Sequence, residues 1–170
     1  SVMYASVDRQ RRIVAVTSPL PDEGQTTTSL CLGRIAAMAG QRVLLVDCDL
    51  RRRSVNGLLD IAPKSGLLQV LSGEMPWRQV VGADEVSDLH ILPVADSAFT
   101  PIDVFSSEAM KRLVAELQEA YDLVILDCPP VLTLAETRTI SQHADSVVLV
   151  GRWRRTTAQA LAMAKRNLEN

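Results

Sequence analysis

Three short segments carry side chains able to hold a polyphosphate and a divalent cation. The first is Ser18-Pro-Leu-Pro-Asp-Glu-Gly24-Gln25-Thr26-Thr27. A turn of this kind, set between a strand and a helix, aims successive backbone N–H groups at one point. The helix behind it adds roughly half a positive charge. The expected nucleotide-binding positions are Pro21, Asp22, Glu23, Gly24, Gln25, Thr26 and Thr27. Gly24 lets the backbone approach a phosphate closely, Thr26 offers a hydroxyl to Mg²⁺, and Thr27 offers one to a phosphate oxygen. The other two segments are Val43-Leu-Leu-Val-Asp47-Cys-Asp49 and Leu123-Val-Ile-Leu-Asp127. Each places a carboxylate just past an apolar run, and hard oxygen ligands beside phosphate suit Mg²⁺. Asp49 could face the same cation or an incoming hydroxyl. The expected metal group is therefore Thr26, Asp47, Asp49 and Asp127, and the expected catalytic positions are Asp47, Asp49 and Gln25. One aspartate after a strand is ordinarily a turn or capping residue. Two of them together with a phosphate loop make coincidence a poor account.

Gln25 stands where the phosphate-loop pattern has lysine. Lysine brings a cation to the terminal phosphates, whereas glutamine offers a neutral amide. The expectation is weakened nucleotide binding with slight turnover, since loss of one well-placed stabilising donor costs about 10²–10³ in rate. A bare Pro/Gly turn with a threonine-capped helix is the competing reading of this segment alone. Arginines cluster at Arg9/Arg11/Arg12, Arg51/Arg52/Arg53 and Arg152/Arg154/Arg155. The second cluster directly follows Asp49 and could reach a phosphate or a neighbouring subunit; a solvated basic stretch is the alternative. Arg152 is expected at the nucleotide or at an interface.

These positions require a scaffold of alternating strands and helices. Residues 13–16, 43–46, 89–92, 123–126 and 146–150 are short apolar runs that read as strands. Helices are expected over 26–39, 55–59, 66–71, 106–121 and 156–168. Leu30, Cys31, Ile35 and Met38 form the inward stripe of the first helix; Met110, Leu113, Val114, Leu117 and Tyr121 form that of the fourth. The strands are continuously apolar, which is the mark of a mainly parallel sheet covered by helices on both faces. Ligands in such sheets lie at the carboxyl ends of the strands. The fold class is thus α/β, three-layered, of the P-loop NTPase type.

The chain has 170 residues, 47% hydrophobic and 4% aromatic, consistent with a single domain packed with aliphatic side chains. A net charge of −2 gives no general reason for nucleic-acid binding. The longest apolar runs fall far short of the roughly 20 residues of a membrane helix. Cys31, Cys48 and Cys128 fit neither a zinc pattern nor a disulfide framework, and read as buried thiols. Trp77 and Trp153 read as surface or interface anchors.

At these residues the sequence resembles the cytoplasmic ATPase domain of bacterial tyrosine kinases (BY-kinases) that accompany polysaccharide chain-length regulators. The resemblance runs through TSPLPDEGQTTTSL, VLLVDCDLRRRS and LVILDCPPV, and continues in GLLQVLSG, ILPVADSAFTPIDVFSSEAMKRLVAEL and ADSVVLVGRWRRTT. VDCDLRRRS is its most specific part. The resemblance implies ATP/ADP and Mg²⁺ as cofactors and autophosphorylation of tyrosines on a neighbouring subunit. It also implies assembly into a ring, and a transmembrane chain-length regulator, fused or separate, that holds the domain at the cytoplasmic face of the membrane. The output it implies is control of capsule or exopolysaccharide synthesis and export. Asp47 and Asp49 correspond to residues aiding metal binding and tyrosine activation, and Asp127 to one supporting Mg²⁺.

The chain departs from that pattern at Gln25. It also lacks a tyrosine-rich tail, with only Tyr4 and Tyr121 present. The helix that precedes Ser1 in the family, its last strand and its tail are expected to lie outside this fragment. A catalytically degenerate nucleotide switch or scaffold for a membrane polysaccharide partner is the alternative function. A partition or septum-placement ATPase fits less well, because its loop begins with lysine and glycines where this chain has Ser18-Pro-Leu-Pro. A non-nucleotide α/β domain is the remaining possibility.

Overall fold

The computed structural model describes residues 12–98 and 103–169. Tyr4, Arg9 and Arg11 lie outside the described residues. Five parallel strands form the sheet: β1 (Arg12–Thr17), β2 (Val43–Asp47), β4 (His90–Leu92), β5 (Leu123–Asp127) and β6 (Ser146–Leu149). A two-residue strand, β3 (Gly82–Ala83), pairs antiparallel with β4. The order is β3-β4-β2-β5-β1-β6. The helices are α1 (Gln25–Met38), α2 (Ser54–Leu59), α3 (Leu67–Leu71), α4 (Trp77–Val80), α5 (Glu108–Ala120), α6 (Glu136–Ser141) and α7 (Ala158–Glu169).

Alternate strand residues face opposite sides, and both sides are covered. Ile13, Ala15, Leu44, Val46, Val124 and Leu126 pack with Leu67, Trp77, Met110 and Leu117. Val14, Val16, Val43, Leu45 and Ile125 pack with Leu30, Ala36, Ala37 and Val55. The three-layer architecture read from the sequence is therefore present. Leu44, Leu45 and Leu126 are fully buried, each worth about 1.5–3 kcal/mol. The strands that end in Asp47 and Asp127 are thus anchored in the core.

The inward stripe of α1 differs from expectation. Its buried residues are Gln25, Ser29, Leu30, Gly33, Ala36 and Ala37, while Cys31, Ile35 and Met38 face solvent. The reason is close packing against the sheet. A Cβ on Gly33 would stand 2.9 Å from Leu89 Cδ1, so only the small-residue face can approach, and the large apolar residues turn outward. Of the three thiols, Cys48 and Cys128 are buried and Cys31 is exposed. Trp77 is a core residue rather than a surface anchor: α4 turns its ring inward, and Nε1 donates to Glu116 at 2.9 Å. Trp153 is exposed as expected. The stripe on α5 holds, with Met110, Leu113, Leu117 and Tyr121 buried and Ser107 Oγ capping the helix by accepting from Met110 N–H at 3.1 Å.

Candidate functional site

The loop between β1 and α1 lies at the carboxyl edge of the sheet and is held from several sides. Thr17 Oγ1 donates to the Pro129 carbonyl at 2.7 Å, and Ser18 Oγ donates to the Leu20 carbonyl at 2.7 Å. Val131 N–H donates to the Ser18 carbonyl at 2.8 Å. Glu23 folds back: one carboxylate oxygen accepts Leu20 N–H at 2.9 Å, and the other accepts the Thr156 hydroxyl. Asp22 and Gly24 take positive φ, 62° and 94°. A glycine adopts the left-handed region without the penalty that a Cβ brings, and Gly24 is thereby able to turn the chain directly into α1. The loop is pre-shaped for an anion at a helix N-terminus.

Behind it stand the two strand-end aspartates. Asp47 and Asp127 are cross-strand partners in the β2–β5 register. Asp127 accepts two hydroxyls from α1, Thr26 Oγ1 and Ser29 Oγ, each at 2.8 Å. These bonds hold the first turn of α1 on the end of β5. Asp47 Oδ1 accepts Asp49 N–H at 3.0 Å, while Asp47 Oδ2 is buried without a hydrogen-bond partner. Burial pushes the Asp47 carboxyl up to about 8, and the charge of Asp127 adds to the rise. Burial likewise pushes Asp127 up to about 7, against the opposing effect of its bonds from Ser29 and Thr26. Asp49 Oδ1 accepts the N–H groups of Arg51 at 3.2 Å and Arg52 at 3.0 Å, shaping the turn after β2.

Mg²⁺ fits these residues. The orphaned oxygen of Asp47 is an acceptor with no donor, and two raised carboxyls side by side are what a divalent cation relieves. Among the described residues, no three His, Cys, Asp or Glu side chains form a protein-only metal cage.

The expected residues thus converge, with different parts to play. Thr26, Asp47, Asp49 and Asp127 lie together at the strand ends. Gln25 is buried at the start of α1, whereas Pro21, Asp22 and Thr27 are exposed. The Glu23 side chain is engaged in holding the loop. Arg152 reaches the loop, donating from Nη1 to the Asp22 carbonyl at 3.2 Å. Sequence reasoning missed Ser29 and Thr156. Ser29 was visible as the residue three after Thr26, on the same helical face. Nothing in the sequence pairs Thr156 with Glu23, 133 positions away.

Comparison with known proteins agrees with this geometry. A family model described as an AAA domain matches residues 12–166. Tyrosine-protein kinase YwqD of Bacillus subtilis (strain 168) is 36% identical over 168 residues, 99% of this chain and 71% of that protein. The kinase domain of Escherichia coli tyrosine kinase ETK superposes with a TM-score of 0.92 at 26% identity, over 99% of this chain and 66% of that one. The VpsO kinase domain does so with a TM-score of 0.90 at 32% identity, over 98% and 82%. Other relatives are much longer: the chain spans 20% of the succinoglycan biosynthesis transport protein ExoP of Rhizobium meliloti (strain 1021), to which it is 28% identical over 153 residues. A three-layer P-loop scaffold, a family match over most of the length and these likenesses agree: the chain belongs to the AAA-domain family and, within it, to the bacterial tyrosine-kinase group.

Proposed function

We propose that this chain is the ATP-binding domain of a tyrosine autokinase that regulates capsular or exopolysaccharide synthesis and export, with turnover held down by Gln25. The observation that carries the reading is the buried, partnerless Asp47 Oδ2 beside Asp127, which itself grips Thr26 at the end of the phosphate loop. In this reading the backbone of residues 21–27 binds the phosphates of ATP or ADP, and Arg152 lies beside the nucleotide. Thr26, Asp47, Asp49 and Asp127 hold Mg²⁺, directly or through water. Bound Mg²⁺ would neutralise charge on the phosphates. Asp47 and Asp49, at the end of β2 and in the turn after it, would assist metal binding and activation of an incoming tyrosine hydroxyl. The relatives' names support the biological role, since they include tyrosine-protein kinases and an exopolysaccharide transport protein. We further propose assembly into a ring and attachment to a transmembrane regulator at the cytoplasmic face of the membrane.

A second reading, favoured by Gln25, is a nucleotide-bound switch that recruits the membrane partner without chemistry. Calorimetric titration with Mg-ADP tests both: absence of binding removes them together. Phosphotyrosine formation on the full-length protein separates them. Its appearance supports the kinase, and its absence in a chain that binds nucleotide supports the switch.

A further inference from the structure

The three arginines after Asp49 have distinct fates. Arg51 lies 3.7 Å from Glu136, and Arg53 pairs with Asp96. Arg52 instead reaches the phosphate loop itself, with Nη2 2.8 Å from Asp22 Oδ1. Its backbone is fixed at the candidate site, because Arg52 N–H donates to Asp49 Oδ1 at 3.0 Å. Among the described residues, its guanidinium is held by a pair that is 47% exposed on one side and 72% on the other. Such a pair is screened by water and easily exchanged. A phosphate is a better partner, since it accepts two parallel N–H bonds from the planar fork.

The loop meanwhile lacks the cation its pattern calls for. Gln25 is neutral, Asp22 adds a negative charge to the loop, and Asp47 and Asp127 lie behind it. A nucleoside diphosphate entering this site with Mg²⁺ would still meet no side-chain cation from the loop itself. We infer that Arg52 leaves Asp22 and takes the terminal phosphates of the bound nucleotide, supplying from the end of β2 the charge that Gln25 does not. This inference rests on the nucleotide-binding reading above. It concerns a different residue from Arg152, which contacts the loop backbone rather than a carboxylate.

The test is calorimetric titration of Mg-ADP and AMP into five forms: wild type, Arg52→Ala, Gln25→Lys, Gln25→Lys/Arg52→Ala and Asp22→Asn/Arg52→Ala. Thermal denaturation checks that each is folded. Arg52→Ala is expected to weaken Mg-ADP about tenfold or more while changing AMP affinity less than about twofold, because AMP lacks the terminal phosphate. In the Gln25→Lys background the same substitution should cost less than about threefold, since lysine already fills the role. The Asp22→Asn/Arg52→Ala form should remain weak. Recovery of wild-type affinity in that form would mean that Arg52 merely neutralises Asp22, and would overturn the inference. An equal loss from Arg52→Ala in both backgrounds, or no loss in either, would overturn it as well while leaving nucleotide binding intact. A wild-type chain that binds no Mg-ADP overturns the underlying reading together with this one.

Discussion

Asp47 and Asp127 end adjacent parallel strands in register, both fully buried, and only Asp127 has hydroxyl donors. Folding thus brings two acids into a water-poor space without supplying a counter-cation from the nearby side chains. The sign of the resulting pH dependence follows directly. Both carboxyls have folded values above the ordinary 3.8, at about 8 and about 7. Between 3.8 and those values the folded chain binds more protons than the unfolded chain, so the contribution of this pair to stability is fullest below about 4, falls from there, and is lost as pH rises through 7 to 8.

The nucleotide-free protein should therefore melt several degrees lower at pH 8.5 than at pH 6, a loss on the order of 4 kcal/mol. Asp47→Asn should remove most of that slope and leave the apo protein at pH 8.5 as stable as wild type or more so. The same substitution should weaken Mg-ADP binding. Scanning calorimetry across pH checks the first effect, and a steep slope retained in Asp47→Asn would contradict it.

Gln25→Lys should raise ATP turnover and tyrosine autophosphorylation by about 10²-fold. The fold should tolerate it, because the aliphatic part of lysine can follow the path of the buried glutamine. Rates with radiolabelled ATP before and after the change decide the matter; an unchanged rate would mean that Gln25 is not the limiting group.

Much of this was legible in the residues. The phosphate loop and the aspartates lie on continuous segments whose local pattern states what they are, and both strand-end carboxylates emerge where the apolar runs stop. Three short elements were not legible, although α2 and α3, also short, were read from the turn residues around them. β3 has two residues, and α4 and α6 have four and six, too few for any periodicity to show. The face of α1 was misread because apolar residues lie all around it. Distance to the sheet, set by Gly33, Ala36 and Ala37, decides which side goes in, and hydrophobicity does not. Trp77 was misread because α4 is too short to reveal an inward face.

Two glycines near the β2–β4 side give a paired test of packing. A Cβ at Gly66 would meet the Pro93 carbonyl oxygen at 2.4 Å and the Ala95 nitrogen at 2.6 Å, both backbone atoms. Gly66→Ala should destabilise by about 2–3 kcal/mol as the segment after β4 is forced away from α3. Gly57 lies inside α2 with open space around it, so Gly57→Ala should stabilise by up to about 1 kcal/mol. Urea denaturation of both variants measures the contrast.

Arg34 on α1 grips Asp84 through two bonds, of 2.9 and 2.8 Å, tying the helix to the segment before β4. The Arg34 bond holds the Asp84 carboxyl below its usual range. The stability this adds is present at neutral pH and is lost as pH falls below about 4. Asp84→Asn should cost about 1 kcal/mol at pH 7, given the partial exposure of Arg34. The cost should vanish near pH 2, where wild type is protonated too. Urea midpoints at the two pH values test this, and an equal deficit at both would refute it.

The chain's first functional loop and one of its last are stitched together. Glu23 meets Thr156 and Asp22 meets Arg152, across 133 and 130 positions of sequence. Both stitches sit one or two residues from Gly24, at the turn into α1. Residues 152–156 lead straight into α7. The approach to α7 is therefore anchored on the loop that opens α1, and substitution of Thr156 or Arg152 would loosen that loop from the far end of the chain.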